Sequence, residues 1–274
     1  MTERERTKTI LKEYGFTAKK SFGQNFLVDD GIIRRIVKNM AVSEYETVIE
    51  IGPGLGALSL PLSKEAKRIY LVDADRDMVK VLRDLFAGQE KVTVVQSDFL
   101  RFDPDSVSRK EERLFIGNLP YNITSRLLEY MLEKGFRSAG FMVQKEVYEK
   151  LDYRPGKKDN TPLGAFIAAS GDLSLVSYVD RSAFDPSPKV DSAFLRIDRT
   201  HPVSFSLYPI FKALFKDPNK TISNCLRQFD KYLPALEKMK EKEEERLAKR
   251  ARQLTSEELT SLAEEILKFT EENE

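Results

Sequence analysis

Thr47-Val48-Ile49-Glu50-Ile51-Gly52-Pro53-Gly54-Leu55-Gly56 decides the fold. Five residues rich in β-branched side chains predict a buried strand, three closely spaced glycines end it in a turn, and helical apolar spacing resumes over 58–67. Outward from this strand–turn–helix unit, 69–72 reads as a second strand ending on Asp73 and Asp75. Met78, Val79, Leu82, Leu85 and Phe86 then mark an amphipathic helix. The alternation continues. Strands are predicted at 92–95, 113–117 and 139–144, helices at 124–133, 145–151 and 163–170, and two further strands at 173–178 and 192–197. The proline-rich stretch 184–189 is expected to be irregular. This order implies an α/β class: a Rossmann-like, doubly wound, mostly parallel sheet with helices on both faces.

From His201-Pro202 onward only helical spacing is found, at 207–215, 221–229, 233–250 and 256–269. A boundary near Thr200 therefore separates an α/β domain, 1–200, from a small helical domain, 201–274. Ser256 followed three positions on by Leu259 is not a full capping box, though Glu257 and Glu258 suit a helix start.

Composition narrows the class. The chain has 274 residues, 41% hydrophobic and 32% charged, with one cysteine and one histidine. Cys225 cannot form an intramolecular disulfide, and with His201 alone beside it a bound transition metal is not expected. No apolar run reaches the roughly 20 residues of a membrane span. The N-terminal stretch lacks the pattern of a transit peptide, and a cytoplasmic location is expected. The net charge of +1 conceals small basic excesses in 1–40 and 216–253 and an acidic end, so basic surface for phosphate contacts is compatible with overall neutrality.

In open α/β sheets ligands bind at the carboxyl ends of strands, so the strand-ending residues carry the chemistry. Gly52, Gly54 and Gly56 let the backbone turn sharply and approach a ligand, as in sites for several nucleotide cofactors. Asp73, about 20 residues beyond the turn, suits the two ribose hydroxyls, which a dehydrogenase would also use. Asp98, ending the third strand, can accept from an adenine amine beside Phe99, or can simply cap the next turn. Asn118-Leu119-Pro120-Tyr121 ends the fourth strand. An exocyclic adenine amine is a poor nucleophile because its lone pair is delocalised into the ring. Two acceptors, the Asn118 side-chain oxygen and a backbone carbonyl of Leu119 or Pro120, would hold the amine so that its lone pair faces an activated methyl. Tyr121 can stack on the base. These residues used only as a turn are the competing reading.

Together the motifs resemble the KsgA family of small-subunit ribosomal RNA adenine dimethyltransferases, over nearly the whole chain. Gly23-Gln24-Asn25-Phe26-Leu27, Glu50 to Gly56, Asn118-Leu119-Pro120-Tyr121-Asn122-Ile123, Val143-Gln144-Lys145-Glu146-Val147 and Phe184-Asp185-Pro186-Ser187-Pro188-Lys189-Val190 carry the resemblance. It implies S-adenosyl-L-methionine as methyl donor, contacted by Asn25, Leu27, Gly52, Asp73, Asp98 and Asn118. Asn118, Leu119, Pro120 and Tyr121 are implied as catalytic, and a flipped adenine is implied between Tyr121 and Phe184. The implied substrate is two adjacent adenines in the 3′-terminal hairpin of small-subunit rRNA, each methylated twice within a pre-ribosomal particle. The helical domain is implied to bind RNA or ribosome, with the protein acting as a monomer.

The chain departs from the family's pattern in having fewer cations at Lys216-Asp217-Pro218-Asn219-Lys220-Thr221. It also carries Asp73 where many relatives have glutamate. The alternatives are a resistance methylase acting on large-subunit RNA, a non-catalytic assembly or transcription factor, and a dehydrogenase. The Phe184 segment disfavours the first, intact Asn118, Pro120 and Tyr121 the second, and Asn118 to Tyr121 the third.

Overall fold

Thr2 opens helix α1 (Glu3–Tyr14) with a reciprocal cap: its hydroxyl accepts from the Glu5 amide while the Glu5 carboxylate accepts from the Thr2 amide. This is a computed structural model, described over residues 1–19, 24–240 and 243–272. Strand β1 (Phe26–Leu27) and helix α2 (Asp30–Met40) follow. The Asp29 carboxylate caps α2 by accepting from the Ile32 amide, and Ile33, Ile36, Val37 and Met40 form its buried stripe.

The alternating part comprises β2 (Thr47–Ile51), α3 (Ser59–Glu65), β3 (Ile69–Asp73), α4 (Arg76–Leu85), β4 (Val92–Gln96), β5 (Arg113–Asn118), α5 (Thr124–Lys134) and β6 (Ser138–Gln144). Next come α6 (Lys145–Leu151), α7 (Pro162–Ser170), β7 (Asp172–Val179), β8 (Phe184–Asp185) and β9 (Ser192–Asp198). The seven-stranded sheet has the order β4-β3-β2-β5-β6-β9-β7. β2 pairs in parallel with β3 on one side and β5 on the other, β4 and β6 extend the parallel part, and β9 runs antiparallel to β6. The chain order therefore reverses about β2, which opens a crevice at the carboxyl ends of β2 and β5. Val48, Ile49, Leu114, Phe115 and Ile116 are buried completely, as expected of parallel strands covered on both faces.

The stretch expected to be irregular holds two residues of strand. Phe184 and Asp185 pair antiparallel with Leu27 and Phe26 as a separate two-stranded sheet. This short pairing lies just before Pro186, so the proline removes no ladder amide within it.

The chain divides into two compact units, 1–148 with 174–198, and 149–173 with 199–274. The expectation drew one boundary near Thr200; residues 149–173, including α7, also group with the helical unit. That unit continues with α8 (Tyr208–Leu214), α9 (Ile222–Leu226), α10 (Leu233–Met239), α11 (Glu244–Ala248) and α12 (Ser256–Glu271). Phe166 of α7 is fully buried, with the rings of Phe205, Tyr208 and Phe211 set edgewise at 5.7, 5.2 and 5.4 Å. Burying such a ring contributes roughly 1.5–3 kcal/mol. One expectation is corrected and another sharpened here. The helix expected over 233–250 is divided into α10 and α11, with 241–242 outside the described residues. The last helix does have a full capping box, one residue earlier than sought: Thr255 and Glu258 cap each other reciprocally.

Candidate active site

The turn after β2 is left-handed at each glycine, with φ of 63° at Gly52, 55° at Gly54 and 83° at Gly56. A Cβ at Gly54 would stand 3.3 Å from the Phe26 ring, so a side chain there meets both strain and crowding. The Gly52 amide donates to Val72 at 3.0 Å, which holds the turn against the end of β3. Helix α1 is tied to the same turn, since Arg6 donates to the Leu55 carbonyl at 2.7 Å. The turn forms one wall of a cavity of about 310 Å3. Asn25, Leu27, Gly52, Asp73, Asp98, Asn118, Leu119, Pro120 and Tyr121 all line it. Of the KsgA-like opening motif, Gly23 lies outside the described residues.

Asp73 ends β3 almost wholly buried. Its Oδ1 accepts from the Asp75 amide at 2.8 Å and its Oδ2 from the Gly54 amide at 3.1 Å. A carboxylate has about four lone-pair sites, so two remain for a pair of ligand hydroxyls. Burial pushes its pKa up to about 6, with the two amides pulling the other way. Asp98 has both features weighed for it: it lines the cavity, and its Oδ1 caps the following turn by accepting from the Leu100 amide at 3.0 Å. Its second oxygen is not used in that cap.

The catalytic-loop candidates are positioned by β5. The Asn118 Nδ2 donates to the Asn25 main-chain carbonyl at 2.9 Å, which leaves Oδ1 buried and without a partner among the described residues. The Pro120 carbonyl already accepts twice, from the Ile123 amide at 3.2 Å and the Thr124 hydroxyl at 3.0 Å. Tyr121 is half-buried, and its hydroxyl shares a 2.7 Å hydrogen bond with Ser192. Burial raises the phenol's pKa, partly offset by Ser192, so Tyr121 is neutral at physiological pH.

Phe184 is not brought to this cavity. It is 2% exposed, belongs to the core cluster that includes Leu27, Val179 and Phe194, and does not line the pocket. The β1–β8 pairing sets it opposite Leu27, which accounts for its burial. An adenine held between Tyr121 and Phe184 is therefore not supported by this arrangement.

Two groups were not singled out by the motifs. Glu50 lines the cavity with Oε2 buried and without a partner among the described residues, and burial pushes its carboxyl up to about 8, Ser59 opposing the shift and the charge of Asp73 adding to it. Its signal was its place directly before the glycine turn. Asp75, 2% exposed, ties the segment before β1 to α4. It accepts from the Lys19 ammonium at 2.7 Å and from the Gln24 amide nitrogen at 2.8 Å while capping α4 through the Asp77 amide. These partners outweigh the upward push of burial and hold its carboxyl below the ordinary range.

The profile of the family described as ribosomal RNA adenine dimethylase matches residues 15–268. The chain is 36% identical over 234 residues to ribosomal RNA small subunit methyltransferase A of Bacillus thuringiensis (strain Al Hakam), covering 81% of this chain and 80% of the relative. The protein of the same name from Bacillus mycoides (strain KBAB4) matches equally. Among solved structures, the 23S rRNA methyltransferase ErmE is 26% identical with a TM-score of 0.66, covering 88% of this chain and 99% of that one. A dimethyladenosine transferase from Plasmodium falciparum shares the fold, with a TM-score of 0.72 at 24% identity, covering 89% and 98%. With a cavity at the β2–β5 crevice and a family match over most of its length, the chain belongs to the ribosomal RNA adenine dimethylase family of S-adenosylmethionine-dependent methyltransferases.

Proposed function

We propose that this chain methylates two adjacent adenines in the 3′-terminal hairpin of small-subunit rRNA, each twice, to N6,N6-dimethyladenosine during small-subunit assembly in the cytoplasm. The observation that carries the chemistry is that Asn118 lines the cavity with its Oδ1 buried and without a partner among the described residues. A buried acceptor without a partner costs about 1–3 kcal/mol, a cost that a donor N–H from the substrate would remove. The Leu119 carbonyl serves as the second acceptor, because that of Pro120 is already used twice. Two acceptors fix both N–H groups of the amine, so its lone pair is aimed before the methyl moves. S-adenosylmethionine supplies that methyl already activated. Asp73 receives the donor's ribose hydroxyls with its remaining lone pairs, and Asp98 accepts from the donor's adenine amine with its uncapped oxygen. Asn25, Leu27 and Gly52 complete the wall. Tyr121 supplies the stacking face, while Phe184 stays in the core opposite Leu27.

The relatives named for the small subunit support this substrate over a large-subunit one, as do the two prolines and Lys189 of the Phe184 segment. RNA docking by the helical unit is supported by the exposed cations Lys216, Lys220, Arg227 and Lys231. Among the described residues no helix is long and apolar enough to cross a membrane. The test is to incubate the protein with labelled S-adenosylmethionine and ribosomal subunits lacking adenine methylation, then map the label. Two methyls on each of two neighbouring small-subunit adenines are expected; label on large-subunit RNA alone overturns the assignment.

A further inference from the structure

Tyr178 is a large side chain left 52% exposed, while its strand neighbours Ser177 and Val179 are buried. It lies on β7, the edge strand of the sheet. Its ring is held in place: Tyr148 meets it edgewise at 6.2 Å and 81°, and the Lys145 ammonium lies over one face, 5.1 Å from the centroid. A short chain of contacts leads from it to the active site. The Lys145 amide donates to the Asp191 carbonyl at 3.0 Å, and the next residue, Ser192, shares its hydroxyl with Tyr121. The exposed Arg181 is held to the same point, its amide donating to the Asp191 carboxylate at 3.2 Å. Glu146 and Glu149 stand on the same helix as Lys145, and Asp180 accepts from the Ser182 amide at 2.8 Å.

An exposed, preset aromatic ring with a lysine over one face has the chemistry of a single-strand platform: the side of the ring away from the cation takes a base, and the cation a phosphate. We infer that Tyr178 and Lys145 form a second nucleotide subsite, which holds the base and phosphate flanking the target adenine on a single-stranded RNA. This deepens the reading of Tyr121 as the face that meets the target. Extruding a base separates its neighbours in the strand from their own stacking partners. A fixed ring beyond Ser192 gives one of them a replacement, so the platform lowers the cost of presenting the adenine.

The test compares wild type, Tyr178→Ala, Tyr178→Phe and Lys145→Gln in fluorescence-anisotropy titrations with a single-stranded, adenine-containing RNA oligonucleotide at several salt concentrations. S-Adenosylmethionine binding is measured separately, as the check that each variant is folded. Tyr178→Ala should weaken RNA binding about 5- to 150-fold, corresponding to one lost stacking contact. Tyr178→Phe should stay within about twofold because the π-face remains. Lys145→Gln should flatten the salt dependence by about 0.7 in log–log slope, one phosphate contact. Donor binding should be unchanged in all three. Wild-type RNA affinity in Tyr178→Ala overturns the subsite, as does equal weakening in Tyr178→Phe. If the subsite variants behave as expected but wild type labels no small-subunit RNA, the subsite stands and the substrate assignment falls. If wild type labels small-subunit RNA and Tyr178→Ala binds RNA normally, the subsite alone falls.

Discussion

Asn118 and Asn25 are joined by a hydrogen bond of 2.9 Å in which the Asn118 side-chain nitrogen donates to the Asn25 main-chain carbonyl. Because a carbonyl can only accept, this contact fixes which end of the amide is the donor and leaves Oδ1 without a partner among the described residues. The segment before the sheet thus selects the acceptor end of an amide on β5, although the two residues are 93 positions apart.

Tyr121 contributes a face and a hydroxyl, and two substitutions separate them. Tyr121→Ala should weaken RNA capture by roughly 1–3 kcal/mol, the value of one base–aromatic stack. Tyr121→Phe keeps the face and loses only the bond to Ser192, so its KM for RNA should stay near wild type. Steady-state kinetics on under-methylated small subunits distinguish them.

Glu50 gives a pH dependence whose sign follows from its raised pKa. The folded state favours the neutral acid, so the stability this group contributes is fully present below its ordinary value of 4.5 and lost as pH rises through about 8. Glu50→Gln should therefore unfold at an equal or higher temperature than wild type near about pH 9, and show a smaller decline from about pH 6, by calorimetry. A cationic ligand in the cavity favours the ionised form. The affinity of wild type for S-adenosylmethionine should rise over that range, and that of Glu50→Gln should change less.

Asp75 is the post to which Lys19 and Gln24 are tied. Asp75→Ala removes a helix cap and unties both, and should cost about 1–3 kcal/mol in denaturant unfolding. Donor affinity should fall with it, since Gln24 and Asn25 line the cavity. A variant with unchanged donor affinity would show that the tie does not shape the site.

Phe184 is a core residue in this arrangement, and Phe184→Ala should cost about 3–5 kcal/mol of stability. Phe184→Leu should recover most of it. If Phe184→Leu is as stable as wild type yet loses RNA capture, the ring acts directly on the base and must leave the core to do so.

Much of the sheet is legible in the sequence because its strands are buried on both faces. Val48-Ile49 and Leu114-Phe115-Ile116 are short apolar runs, and a glycine, acid or side-chain amide marks the strand ends. Asp73 and Asn118 could be found from that rule alone. Other features were present as signals but weaker: Thr2 with Glu5 forms a capping box, and Ile33, Ile36, Val37 and Met40 have helical spacing. What the sequence does not contain is burial and partnership. The orphaned oxygens of Glu50 and Asn118, the double use of the Pro120 carbonyl and the bond of Tyr121 to Ser192 depend on contacts across the fold. Phe184 was assigned from its motif, and its pairing with Leu27 set it in the core instead. The extent of the helical unit is similarly hidden, since α7 belongs to it by packing and precedes the boundary in the chain.

The central claim is that Asn118 Oδ1 orients the adenine amine for methyl transfer. Single-turnover methylation by Asn118→Ala, with donor and small subunits both saturating, tests it most directly. Removing one preorganised polar contact of this kind typically costs on the order of 10²- to 10³-fold in rate. Asn118→Ala should lose rate by that factor while binding small subunits within about threefold of wild type, because Asn118 makes no phosphate contact in this reading. A single-turnover rate equal to that of wild type would contradict it.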